Sequence, residues 1–188
     1  MPTATTIGPD EIEPAIQRLA AAIRARHASA GRLLLLGIAN GGVELARRLA
    51  RRLGARSGTI DISFHRDDIG RHPIPKEFAP TQIPADVTGA TVVLVDDVLF
   101  TGRTVKAALD ELFDHGRPAK VELAVLVDRG GRLMPVAADY IGLVLAPAAG
   151  EKVAVTLDAQ NPRRDTLRLE PAKSAPQSKI ENPKSKIR

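Results

Sequence analysis

The chain has 188 residues, 44% of them hydrophobic, which suffices for one domain with a real core. It has no cysteine, which excludes a disulfide framework and a thiolate zinc site, and its histidines, His27, His65, His72 and His115, show no metal-ligand spacing. The formal net charge of +5 resides mostly in the tail, where Lys173, Lys179, Lys184, Lys186 and Arg188 stand against Glu181 and leave residues 1–170 nearly neutral, so a basic pI does not mark the body as a nucleic-acid binder.

The N-terminus lacks a basic stretch followed by an apolar run, and no apolar run approaches the roughly 18 residues of a spanning helix, so a cytoplasmic protein is expected. Over 9–27, Ile12, Ile16, Leu19, Ala20 and Ile23 share one helical face, with Pro14 tolerated in the first turn. RLLLLGI (32–38) reads as a buried strand; it runs into Asn40-Gly41-Gly42, after which Val43, Ala46, Leu49, Ala50 and Leu53 resume helical spacing. TIDISF (59–64) alternates as a strand does. The stretch 66–84 carries Pro73, Pro75, Pro80 and Pro84 with little periodicity and reads as a long functional loop.

TVVLV (91–95) is a buried-type strand, and Val105, Ala108, Leu109 and Leu112 mark the helix that follows. Further strands are expected at 121–127, 140–145 and 153–157. Strands alternating with helices predict an α/β domain with a mainly parallel central sheet flanked by helices, and ligands beyond the carboxyl ends of its strands. The domain is expected to end at 158. Residues 159–188 read as a linker and disordered basic tail, too poor in large apolar side chains to fold alone.

The chemistry is concentrated in VVLVDDVLFTGRT (92–104). Val92, Val93, Leu94 and Val95 form the strand; Asp96 and Asp97 close it; Val98, Leu99 and Phe100 lead to Thr101, Gly102, Arg103 and Thr104 at a helix start. Unpaired N–H groups at a helix N-terminus, a glycine that lets the main chain approach, and two threonine hydroxyls make a cradle for a phosphate. Adjacent carboxylates would repel that phosphate but suit vicinal ribose hydroxyls, each of which donates a hydrogen bond. Any one of these residues is more simply a solvated strand end or a capped turn. The ordered string is not, because a buried strand running into two unpaired acids is costly without a ligand or metal.

This string resembles the phosphoribosyl pyrophosphate (PRPP) motif of type I phosphoribosyltransferases, and DDVLFTGRT is most similar to the PyrR family of pyrimidine-operon regulators with uracil phosphoribosyltransferase activity. The resemblance extends over roughly 10–158 through GIANGGVELARRLA, DISFHRDD, HGRPAKVELAVLVDRGGR and ADYIG. It implies the type I phosphoribosyltransferase fold with a small hood from the C-terminal strands, transfer of phosphoribosyl from PRPP to uracil giving UMP and pyrophosphate, and a Mg²⁺ ion held through PRPP, Asp96 and Asp97. Asp96 and Asp97 would hold the ribose hydroxyls, 101–104 the 5-phosphate, and Ala39, Asn40, Gly41 and Gly42 the pyrophosphate. Arg66, Arg71 and Lys76 are candidate loop cations, Arg66 the strongest. Asp128 and Arg129 would lie near the base, with the backbone of Tyr140 and Ile141 reading its edge, although Tyr140 reads equally well as core packing.

Phe100 stands where purine-specific relatives usually place an acid, which favours uracil. The resemblance also implies a homodimer or homotetramer and binding of a pyrimidine-operon mRNA leader. The cations left for RNA are Arg18, Arg26 and Arg132, each also readable as plain surface. An RNA-binding regulator that senses UMP or PRPP with little catalysis, and a purine phosphoribosyltransferase, remain the alternatives.

Overall fold

The computed structural model describes residues 5–28, 32–63, 65 and 80–171. After a short strand β1 (Thr6–Ile7), helix α1 (Pro9–Arg26) begins at Pro9, where a missing N–H costs nothing, with Asp10 and Glu11 in the first turn at the positive end of the helix dipole. Its buried stripe is Ile12, Ala15, Ile16, Leu19, Ala20 and Ile23, the face expected from the spacing. Then follow β2 (Leu33–Ile38), α2 (Gly41–Leu53), β3 (Arg56–Ile60), β4 (Thr91–Leu99), α3 (Arg103–Asp114), β5 (Lys120–Asp128) and β6 (Tyr140–Val144).

Five of these strands form one parallel sheet in the order β3-β2-β4-β5-β6. Leu35, Val93, Val95, Ala124 and Leu126 pack with α1 and α2 on one face. Leu34, Leu36, Val92, Leu94, Leu123 and Val125 pack on the other with Val105, Ala108 and Leu112 of α3. β2 and β4 are neighbours although β3 lies between them in the chain, and their following helices cover opposite faces. A crevice therefore opens between the carboxyl ends of β2 and β4, at the point where the winding reverses.

A second sheet, order β1-β8-β7, is antiparallel and contains β7 (Glu151–Thr156) and β8 (Thr166–Pro171). Its anchor is Arg48 of α2, whose guanidinium bonds both oxygens of Asp165 and the carbonyl of Asp158; Arg48 and Asp165 are 2% and 1% exposed. Such a buried ion pair holds only because each partner is fully engaged.

β4 runs on to Leu99 rather than ending at 95, and two further boundaries differ from expectation in ways that bear on the fold. The third strand runs 56–60 rather than 59–64, because its partner β2 offers pairing sites from Leu34 to Ile38 and these are matched by Arg56 to Ile60. The folded region also continues past 158: a 3₁₀ turn (Pro162–Arg164) and β8 carry it to Pro171, with Leu167 fully buried. β8 is short, with Leu167 and Leu169 alternating with Thr166, Arg168 and Glu170, and it is held by pairing with β1 and β7 and by the Arg48–Asp165 pair just before it. Residues 172–188, the remainder of the expected tail, lie outside the described residues. No helix among the described residues is long and apolar enough to cross a membrane.

Candidate functional site

β4 is buried from Val92 through Asp96 and ends at the crevice with Asp97, Val98 and Leu99. Asp96 is 5% exposed, and one oxygen of its carboxylate accepts a hydrogen bond from the backbone N–H of Asp97 at 3.0 Å. Burial, and then the neighbouring charge of Asp97, push the Asp96 carboxyl well above the ordinary carboxylate range. Burial raises Asp97 as well. Two adjacent acids placed where neither is comfortable as an anion form a donor set that fits a hydroxyl-rich ligand or a hard cation.

The turn after β2 closes the other wall. Gly41 and Gly42 open α2 and touch β4 directly: a Cβ on Gly41 would fall 2.5 Å from the Asp97 carboxylate, and one on Gly42 would fall 1.9 Å from the carbonyl oxygen of Val95. No other residue fits at Gly42 without moving β4, and at Gly41 the Asp97 carboxylate would have to turn aside. Ala39 and Asn40 precede them, joined by a cis peptide bond. The structure thus brings together Ala39, Asn40, Gly41, Gly42, Asp96 and Asp97.

Beyond β4 the chain passes Phe100 and Thr101 into α3, where Gly102 takes φ +92°, a left-handed conformation that suits glycine. No side chain caps this helix and its first turn carries no acid, so its N-terminal N–H groups face no competing carboxylate from their own turn. Arg103 and Thr104 form that first turn, with Thr101 Oγ1 accepting from the Arg103 N–H at 3.4 Å. Every part of the expected phosphate cradle is at one end of the sheet.

Asp128 also reaches this edge, paired with Leu99. Although burial opposes it, the Arg132 guanidinium at 2.6 Å holds the Asp128 carboxyl below its usual range. Arg132 further donates to the carbonyls of Leu99, Phe100, Gly130 and Val136, and so fastens the β5–β6 connection to the end of β4. Arg129 lies over the Phe100 ring, 4.0 Å from its centroid, and donates to the Glu151 carbonyl. Two buried side-chain atoms among the described residues lack a partner, Arg129 Nε and Asp61 Oδ2, and both residues directly follow a strand end on this edge.

Several expected site residues fall elsewhere. Tyr140 and Ile141 pair with Ala124 and Val125, and Ala124 is four residues, about 13 Å, upstream of Asp128. The Tyr140 hydroxyl donates to Glu122 at 2.7 Å, and the Arg26 guanidinium lies 5.1 Å from its ring centroid. Tyr140 therefore packs in the core, on the α1 face near the start of its strand. Glu122 gathers Lys120, Tyr140, His27 and Arg26; their hydrogen bonds outweigh its burial and lower its pKa to about 2. Arg18 donates to the Gly142 carbonyl, Arg26 to Glu122 and Asp139, and Arg132 to the site loop, so each arginine expected at an RNA surface holds an internal partner. Arg66, Arg71 and Lys76 lie outside the described residues.

Pattern reading missed Asp61, whose approach to the edge depends on where β3 ends, and the Arg48–Asp165 pair, whose members stand 117 residues apart. Neither leaves a local signal.

The family model of the phosphoribosyl transferase domain matches residues 8–159. The bifunctional protein PyrR of Streptomyces coelicolor is 48% identical to this chain over 90% of each. That of Deinococcus radiodurans is 46% identical over 83% of this chain and 88% of the relative. The crystal structure of Trypanosoma cruzi hypoxanthine phosphoribosyltransferase superposes with a TM-score of 0.63 at 24% identity, covering 87% of this chain and 94% of that one, a likeness of fold. With a matched domain that spans the sheet and the crevice, and relatives near half identical along most of its length, the chain belongs to the type I phosphoribosyltransferases and, within them, to the PyrR family.

Proposed function

We propose that this protein transfers the phosphoribosyl group of PRPP to uracil, giving UMP and pyrophosphate. The observation that carries the reading is the convergence of Asp96 and Asp97, the Gly41-Gly42 turn and the uncapped start of α3 around one crevice. In this reading the α3 N-terminus and the Thr101 and Thr104 hydroxyls take the 5-phosphate, Asp96 and Asp97 accept from the ribose hydroxyls, and the N–H groups of 39–42 meet the diphosphate. The contact of Gly41 with Asp97 sets the diphosphate beside the ribose, which fixes the bond to be broken against the incoming base.

The base nitrogen bonds to the anomeric carbon as the carbon–oxygen bond to pyrophosphate breaks, and the nitrogen loses its proton. No protein nucleophile is required. Asp96 and Asp97 also fit a Mg²⁺ ion shared with PRPP, which when bound neutralises the leaving diphosphate. Uracil is favoured over a purine by Phe100, which presents a ring stacked on Arg129 where a purine enzyme would place an acid.

A second reading, binding of a pyrimidine-operon leader RNA under nucleotide control, is supported by the word bifunctional in the relatives' names. The internal commitments of Arg18, Arg26 and Arg132 count against it, since RNA affinity rests mainly on free cations. The test is UMP formation from PRPP and uracil with Mg²⁺, run beside hypoxanthine, guanine and xanthine. UMP alone is expected; a purine nucleotide, or no product with any base, would refute the proposal.

A further inference from the structure

Away from the crevice, His65, Glu111, Asp114 and His115 come together from the turn after β3 and the last turn of α3. His65 Nε2 is 3.0 Å from one Glu111 oxygen and 3.5 Å from Asp114 Oδ2. One ligand atom from each of His65, Glu111 and Asp114 lies within 4.8 Å of the others. His115 Nε2 meets the second Glu111 oxygen at 3.1 Å, and the Thr81 hydroxyl donates to that same oxygen at 2.6 Å.

These separations match the needs of a small divalent ion. Metal–ligand bonds of about 2.0–2.1 Å in tetrahedral geometry hold adjacent donors about 3.3 Å apart, between the two distances seen around His65 Nε2. The carboxylate is also pre-set: Thr81 and His115 fix the Glu111 plane from its far oxygen and leave the near one to a ligand, the role outer partners play at metal sites. Those two hydrogen bonds outweigh burial and hold the Glu111 carboxyl below its usual range. Asp114, with a side chain 70% exposed, leaves the group open to solvent.

We propose that His65, Glu111 and Asp114 form a binding site for a divalent transition-metal ion of the zinc class, separate from the Asp96–Asp97 crevice. An imidazole with two carboxylates suits Zn²⁺, Co²⁺ or Ni²⁺ and disfavours Mg²⁺, which takes oxygen donors and retains its waters. Three protein ligands leave a position for water. Bound there, the ion ties the chain just after β3 to α3, the helix whose other end forms the phosphate cradle.

The test uses the full chain, stripped with chelator and held in excess Mg²⁺ to occupy hard oxygen sites. Zn²⁺ is titrated calorimetrically, and Co²⁺ is followed by its visible absorption, which reports tetrahedral coordination. One equivalent of Zn²⁺ is expected, weakened at least tenfold in both His65→Ala and Asp114→Asn, with loss of the tetrahedral Co²⁺ spectrum. Both substitutions lie at the surface, and melting curves confirm that they fold. Absence of binding in the parent protein, or parental affinity in both variants, would overturn the site and reduce the cluster to ion pairs.

Discussion

Among single residues, the buried acids divide by their partners. Glu122 is 2% exposed and surrounded by donors, so its folded pKa of about 2 lies below the ordinary value. A depressed carboxyl contributes stability that is fully present above the unfolded pKa and is lost as pH falls toward the folded one. From an ordinary value of 4.5 to about 2, that contribution approaches about 3 kcal/mol at neutral pH and declines from roughly pH 5 downward. Glu122→Gln is therefore expected to destabilise the protein by up to about 3 kcal/mol at pH 7, and by clearly less at pH 3, in denaturant melts. An equal loss at both values would contradict the ionic origin. Asp96 and Asp97 are the opposite case, raised rather than lowered, and they are the acids expected to meet a ligand.

At the scale of elements, the crevice depends on how closely α2 leans on β4. Gly42→Ala would drive a methyl group into the Val95 carbonyl, 1.9 Å away, and separate the two elements. Overpacking of this kind costs typically about 1–3 kcal/mol, and the displaced turn should also weaken binding of PRPP. Equilibrium melts with PRPP titration check both effects; unchanged stability and affinity would mean that the turn tolerates the shift.

Helices and buried strands were legible in the sequence because their spacing reports burial directly. The β4–α3 motif was legible because all its parts are local, from Asp96 to Thr104. What depends on tertiary pairing was not legible. The start of β3 is set by β2, the place of Tyr140 by Glu122 and α1, and the His65 cluster by chain segments 46 residues apart that no spacing rule connects.

In the whole molecule, the hood and the sheet are one folded unit joined through Arg48. A chain that ends at 158 would lack Asp165, leave Arg48 with Glu44 but without the carboxylate that its two terminal nitrogens bond, and remove Leu167 from the core. Breaking a buried ion pair from one side costs about 3–5 kcal/mol, a large share of a typical domain's stability. Truncation after 171 is expected to preserve the melting temperature, whereas truncation after 158 should lower it sharply or prevent folding. Equal stability of the two would place the hood outside the cooperative unit.

The crevice as the PRPP site is tested most directly by calorimetric titration of PRPP with Mg²⁺ into the parent protein and into Asp97→Asn. Removing a carboxylate that burial already disfavours should leave the apo fold as stable as before or more so, while affinity for PRPP falls at least about tenfold, or about 1.4 kcal/mol. Parental affinity in Asp97→Asn would contradict the assignment of the ribose to the end of β4.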